Sequence, residues 1–348
     1  MARQIPKTMK AGQYDPKQGK VVVNEIPVPV PGKNEMLVKI KSASLCHSDF
    51  LAMEQTKDEP VTIGHEGCGH IVAFDPSAEG KGFSVGDAVG FLCFRGCCYN
   101  CRGCSIHFTH CETGGQRLQG WPGTDGFFAE YAIVDYHAAI KLDESVWDMT
   151  RASAVFCAGV TTFHSIDQCD LSPGDWFGVV GCGGLGQMAI QYAKAMGLRV
   201  VATDVAVANL AEAKSQGADA VFNSMQSGYI DEIKKLTGGG CKAVAVYTNA
   251  DKAYETAPSL IAVGGTLMAV GLPKNPIKVD VMDIAVSNYQ LKSTNTGNHI
   301  GLPKVVEFTG KHGIMPVVDI KPGLESLPEM VEAMRMGKAS KRQAVVFS

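Results

Sequence analysis

From residue 175 onward the chain repeats one pattern, an apolar run followed by a turn and a stretch of helical periodicity. "DWFGVVG" ends in glycine and leads into "LGQMAIQYAKAMG". There Leu185, Met188, Ala189, Tyr192, Ala193 and Met196 recur at helical spacing, and Gly197 can cap the end. "LRVVATD", "ADAVF", "KAVAVY" and "GTLMAVG" read as further strands, with "NLAEAKSQG", "YIDEIKKL" and "AYETAPSLIA" as the helices between them. Strands alternating with helices of this length build a parallel sheet wrapped on both faces. The first 150 residues differ. Short β-rich runs ("KVVVNEI", "EMLVKIKSAS", "GHIVAF", "FAEYAIVD") are separated by Pro and Gly clusters, as in an irregular antiparallel barrel. After about residue 289 the alternation fades and the chain returns to the first domain. The expected class is α/β: a doubly wound parallel-sheet domain over 154–288, inserted in a mostly-β domain made of 1–153 and 289–348. A length of 348 residues exceeds what one hydrophobic core ordinarily serves, which agrees with two domains.

The first turn of the inserted domain carries a chemical signal. "VVGCGGLGQ" places Gly181, Gly183 and Gly186 as G-x-G-x-x-G between strand and helix, with Gly184 and Leu185 opening the helix. The three glycines serve a tight turn, close backbone approach to a pyrophosphate, and close helix–strand packing. The helix N-terminus adds free N–H donors and the positive end of a dipole. Asp204 ends the second strand, where a carboxylate binds both hydroxyls of an adenosine ribose and repels a 2′-phosphate. No arginine follows it in "DVAVANL". The expected cofactor is NAD(H) rather than NADP(H).

A net charge of −3 argues against a nucleic-acid partner, which would need a basic face. No apolar stretch approaches the ~20 residues that span a bilayer, and the N-terminus shows no apolar run of a signal peptide. The cytoplasm is the expected compartment, where disulfides are disfavoured. "GCCYNCRGCSIHFTHC" (96–111), with five of the chain's twelve cysteines, therefore reads as a metal site rather than a disulfide knot. A quieter set is scattered along the chain. "SLCHSDF" holds Cys46, His47, Ser48 and Asp49, "GHEGCGH" holds His65 and Glu66, and "FCAGVTTFHS" holds Cys157. Cys46, His65 and Cys157 together supply the open three-ligand set of a catalytic zinc.

At this point the chain resembles the zinc-dependent medium-chain alcohol dehydrogenases. "GHEGCGHI", "GDAVG", the cysteine cluster, "GTDGFFAEY", "CAGVTT", "GCGGLG", "VGLP" and "GKASKRQAVV" fall in that family's order over essentially the whole length. The likeness is greatest to its yeast-type and cinnamyl-alcohol-type branches. The resemblance implies a GroES-like catalytic domain around a Rossmann NAD domain, with two zinc ions per chain. Cys46, His65 and Cys157 match the catalytic zinc ligands, and Cys98, Cys101, Cys104 and Cys111, in a lobe over 96–112, match a structural zinc site. Ser48 matches the hydroxyl that handles the substrate proton, Asp49 the carboxylate orienting the ligating histidine, and Glu66 the acid behind the metal. His47 and Arg342 match positions approaching the coenzyme phosphates. Thr161, Val270 and Leu272 match the nicotinamide surroundings. The implied reaction interconverts small alcohols with aldehydes or ketones by hydride transfer to or from NAD(H), in a homo-oligomer, dimer or tetramer.

Three departures from the family pattern stand out. Leu51 occupies the position where this branch usually carries a relay histidine, so an altered pH dependence is expected. The segment between Cys46 and His65 is short, and Cys93 falls where some relatives place a pocket aromatic. The family's lobe reads C-x2-C-x2-C-x7-C, whereas Cys111 here follows Cys104 after six residues. Two other readings compete with the leading one: a same-fold reductase of a C=C or C=N bond, and a non-catalytic NAD-binding regulator.

Overall fold

The computed structural model describes residues 5–339 and 341–348. The chain divides into two compact units, one running to Cys157 and resuming at Gly297, the other Ala158–Thr296. Both limits lie beyond the expected 153 and 288, for packing reasons. The 3-10 segment Ala152–Phe156 is buried on the β-rich side, and the strand Gln290–Ser293 completes the parallel sheet.

The inserted unit is a six-stranded parallel sheet. In spatial order it runs Ala220–Asn223, Arg199–Asp204, Trp176–Val180, Cys241–Val246, Ile261–Ala269 and Gln290–Ser293. Numbered along the chain, that order is 3-2-1-4-5-6, the doubly wound arrangement of dinucleotide-binding domains. Its first strand, WFGVV, is buried throughout, because helices cover both faces of a parallel sheet. The helix expected over 253–262 is cut short. Asp251–Thr256 is helical, Ala257–Leu260 is a 3-10 turn, and the next strand already begins at Ile261. Pro258 is the cause, since it lacks an N–H and disfavours helical geometry in the residue before it.

The larger unit holds a three-stranded and a seven-stranded sheet. In the latter, Glu35–Leu45 pairs antiparallel with Glu66–Phe74, Tyr131–Asp135 and Arg342–Val346. The C-terminal strand thus closes the sheet begun by the first hundred residues, which is why the chain returns. Register matters here. Ser44 lies opposite Glu66 and Leu45 opposite Gln343, so Cys46, His65 and Arg342 meet at one end of the sheet.

Candidate metal and nucleotide sites

Cys46, His65, Glu66 and Cys157 place their ligating atoms within 4.8 Å of one another. The sheet register delivers the first three. Cys157 arrives on the segment Ala152–Phe156, whose Phe156 lies over Gly90, where a Cβ would fall 1.7 Å from the ring. Only a glycine in that strand lets the segment come so close.

Asp49 stands behind the cluster, fully buried. Its Oδ1 lies 2.9 Å from His65 Nδ1 and its Oδ2 accepts the backbone N–H of Cys46 at 2.8 Å. The bond at Nδ1 turns the other ring nitrogen toward the sulfurs. Burial opposes charge on His65, but the charges of Asp49 and Cys46 outweigh it and hold its pKa well above the ordinary value. A hydrogen bond from Cys157 holds Cys46 well below the usual thiol range. Thiolate, thiol and imidazole in a dry site form a soft donor set suited to zinc.

Glu66 is engaged elsewhere. Ser44 Oγ donates to its Oε2, and Arg342 Nη1 lies 3.1 Å from its Oε1. Burial raises Glu66 to about 8 against the pull of Arg342. Arg342 also donates to the carbonyl of Leu45 at 3.1 Å, while its Nη2 is buried without a protein hydrogen-bond partner. Ser44 was not singled out from the sequence. It lies 22 positions from Glu66, and only the strand register joins them. Trp121 is the second residue missed, its ring packing edge-on against His65 with centroids 5.4 Å apart. Ser48 is half-buried and His47 exposed at the start of the helix Ser48–Gln55, and Leu51 is exposed on it. Cys93 is buried, and that burial raises its thiol to about 11.

The lobe gathers Cys98, Cys101, Cys104 and Cys111 into a second cluster. A tetrahedral zinc with arms of about 2.3 Å needs sulfurs about 3.8 Å apart. Cys98 Sγ lies 3.9 Å from Cys104 Sγ and 3.7 Å from Cys111 Sγ. Backbone N–H groups of Cys98, Cys104 and Glu112 point at the sulfurs of Cys111, Cys101 and Cys101 over 3.3–3.4 Å. Burial opposes charge on Cys111, yet the hydroxyl of Thr113 and the N–H of Cys98 bring its thiol down to about 6. Cys97 and His110 lie outside this group of four.

In the parallel-sheet unit the three glycines take distinct parts. Gly181 has φ +92°, Gly183 faces open space, and a Cβ on Gly186 would lie 2.0 Å from the carbonyl oxygen of Gly181. The helix Gly184–Ala195 starts at Gly183 with no side chain capping it, so Gly184 and Leu185 open its free N-terminus. Asp204 accepts N–H bonds from Cys182 at 2.7 Å and Ala206 at 2.8 Å, which fixes its carboxylate beside that turn. Val205 and Val207 next to it are exposed. Thr161 and Val270 are buried, Leu272 is exposed, and Val270 directly follows the fifth strand at its carboxyl end.

Residues 184–311 match the family described as "Zinc-binding dehydrogenase", and residues 32–144 match "Alcohol dehydrogenase GroES-like domain". The chain is 33% identical to an alcohol dehydrogenase of Moraxella sp. (strain TAE123), over 94% of this chain and 96% of that one. It is 32% identical to an alcohol dehydrogenase of Geobacillus stearothermophilus, over 96% and 98% of the two chains. Among solved structures, the alcohol dehydrogenase of Aeropyrum pernix superposes with a TM-score of 0.87 at 24% identity, covering 97% of this chain and 100% of that one. An acetophenone reductase from Geotrichum candidum, solved with NAD, gives 0.86 at 23% identity, covering 99% and 98%. The chain belongs to the zinc-dependent medium-chain alcohol dehydrogenase family, and its fold is that of the family.

Proposed function

We propose that this chain is a zinc-dependent oxidoreductase that interconverts alcohols with aldehydes or ketones, using NAD(H). The observation that carries the reading is the asymmetry of the Cys46–His65–Cys157 cluster. Its one further candidate ligand, Glu66, is held by Arg342 and Ser44, so three donors remain and a fourth position is left for substrate. The lobe, by contrast, offers four thiols and leaves no position open, which suits a structural zinc.

Zinc, when bound, supplies the Lewis acidity that lowers the pKa of an alcohol or polarises a carbonyl. Cys46, His65 and Cys157 would hold it, and Asp49 keeps the imidazole turned toward it. Ser48, half-buried in the first helical turn, is the hydroxyl that takes or returns the substrate proton. NAD, when bound, accepts or gives the hydride. Its pyrophosphate would lie on the open side of Gly183 at the uncapped helix N-terminus, and its ribose hydroxyls on Asp204. The unpartnered Nη2 of Arg342 is a donor for a coenzyme phosphate, and His47 is assigned the same role. Thr161, Val270 and Leu272 are assigned to the nicotinamide end.

We also place the protein in the cytoplasm as a homo-oligomer, dimer or tetramer. Twelve unpaired cysteines fit a reducing compartment. Gln290–Ser293 is the edge strand of the parallel sheet, and the neighbouring helix leaves Val281, Met282 and Val286 exposed at 75%, 70% and 74%. An apolar surface of that kind beside an open edge calls for a second copy. Among the described residues, no helix is long and apolar enough to cross a membrane.

The deciding experiment is a steady-state panel of alcohols and aldehydes with NAD(H) and NADP(H), on protein of measured zinc content. Turnover with NAD(H) at two zinc ions per chain is expected, and no turnover of any simple alcohol or carbonyl by zinc-loaded protein would sink the reading. A paired change, Asp204→Asn with Val205→Arg, is expected to shift the NADP/NAD ratio of kcat/KM upward by at least about tenfold. It removes the charge that repels a 2′-phosphate and supplies a cation for it. An unchanged ratio at an unchanged melting temperature would remove Asp204 from the ribose site.

A further inference from the structure

We propose that Gln187 is a positioning residue for the coenzyme pyrophosphate, its buried side-chain amide holding the glycine turn 181–184 in the shape that receives two linked phosphates. The proposal rests on this turn and Asp204 being the NAD(H) site, and it deepens that reading by naming what keeps the turn ready.

The first support is the freedom the turn would otherwise have. Gly181–Cys182–Gly183–Gly184 has three glycines in four positions. Glycine allows a ligand to approach closely, but its backbone is mobile, and ordering it on binding costs affinity. Cys182 is the one residue there with a side chain, and it is held at three points. Its N–H donates to Asp204 Oδ2 at 2.7 Å, its thiol to the carbonyl of Thr203 at 3.5 Å, and its carbonyl accepts from Gln187 Nε2 at 3.1 Å. Burial pushes the Cys182 thiol up, so the sulfur keeps the proton it donates.

The second support is what the Gln187 bond fixes. The carbonyl of Cys182 and the N–H of Gly183 belong to one planar peptide group and point in opposite directions. Holding the first therefore aims the second, at the residue where a Cβ would meet nothing within 4 Å. The main-chain N–H of Gln187 also donates to the Gly183 carbonyl at 2.9 Å. One residue thus grips both halves of the turn's central dipeptide.

The third support is the way the amide is turned. Gln187 is 1% exposed, in the first turn of the helix Gly184–Ala195. A carbonyl can only accept, so Nε2 is the atom that faces Cys182. That leaves Oε1 buried without a protein partner, although an acceptor at this end of a helix could have capped its free N–H groups. No side chain caps this helix. The amide therefore holds the turn through its donor and leaves the helix N–H groups to an outside anion. It acts through the Cys182–Gly183 peptide, not by contact with the coenzyme.

The test compares ADP-ribose, which carries the pyrophosphate, with adenosine, which carries only the ribose assigned to Asp204. Dissociation constants are measured by calorimetry on the full chain, with melting temperatures alongside. Gln187→Met keeps the volume and removes the donor. It is expected to weaken ADP-ribose at least about tenfold and adenosine less than about threefold, because only the pyrophosphate needs the ordered turn. Gln187→Leu gives the same comparison should methionine fail to pack. Gln187→His, whose ring N–H can reach the same carbonyl, is expected to bind ADP-ribose within about threefold of wild type. The proposal is overturned if the methionine variant binds ADP-ribose as wild type does. It is equally overturned if both ligands weaken by the same factor, which would make Gln187 a support for the fold alone. A wild type that binds neither ligand would remove the nucleotide site and Gln187's part in it together, whereas tight binding unchanged in the variants removes only the positioning role.

Discussion

Replacing Asp49 with alanine is expected to lower the zinc affinity of the Cys46–His65–Cys157 site by roughly 10- to 100-fold, with a matching fall in kcat/KM at limiting zinc. Two effects add. The His65 ring loses the partner 2.9 Å from Nδ1 that fixes both its tautomer and its rotation. The Cys46 N–H, now held at 2.8 Å, is left buried without an acceptor, which costs about 1–3 kcal/mol and frees the backbone that carries the first thiolate. Asp49→Asn separates the two. One amide oxygen can serve His65 or Cys46 but not both, so the asparagine variant should fall between wild type and alanine. Competition with a chelator gives the affinity directly. An alanine variant within twofold of wild type would mean that the sheet alone positions His65.

Why some of this was legible in the sequence and some was not follows from distance along the chain. The glycine turn is local. Gly181, Gly183 and Gly186 occupy six consecutive positions, and their positive φ, open face and 2.0 Å approach are the three parts that spacing assigns them. The strand–helix alternation is local too; it failed where Pro258 cut a helix that periodicity alone would have extended, and it stopped short of the helix Val281–Ser287 and the last strand, Gln290–Ser293. Cys46 and Asp49 are likewise near neighbours, so a carboxylate three positions on could be suspected of supporting the site. The pairing of Glu66 with Arg342 is different, since 276 positions separate them and nothing in either segment announces the register that joins the last strand to Glu35–Leu45. The same holds for Phe156 seated on Gly90 and for Trp121 on His65. Sequence likeness supplied roles for residues of fixed identity, but Trp121 and Ser44 act through contacts that only the folded sheet creates.

The lobe gives the other large effect, and it turns on a glycine as much as on a cysteine. Six residues separate Cys104 from Cys111. The loop spans the distance by leaving the α-helix at Ile106 and taking the 3-10 turn Phe108–His110, which rises about 2.0 Å per residue against about 1.5 Å in an α-helix. The tightened turn folds back so closely that a Cβ on Gly103 would lie 1.7 Å from the carbonyl oxygen of His110. Gly103→Ala must therefore push His110 outward and carry Cys111 away from sulfurs that now stand 3.7 Å apart. The expected result is one zinc per chain instead of two, as for Cys111→Ala, whereas Cys97→Ser should keep both. Structural zinc contributes on the order of 10 kcal/mol to the folding of small metal-held segments, and even part of that, lost here, should lower the melting temperature by on the order of 10 °C. Metal analysis on the three variants, paired with thermal unfolding, decides the matter. If Gly103→Ala retains two zinc ions and melts with wild type, the loop has slack that this packing denies, and the missing residue is absorbed somewhere other than the turn before Cys111.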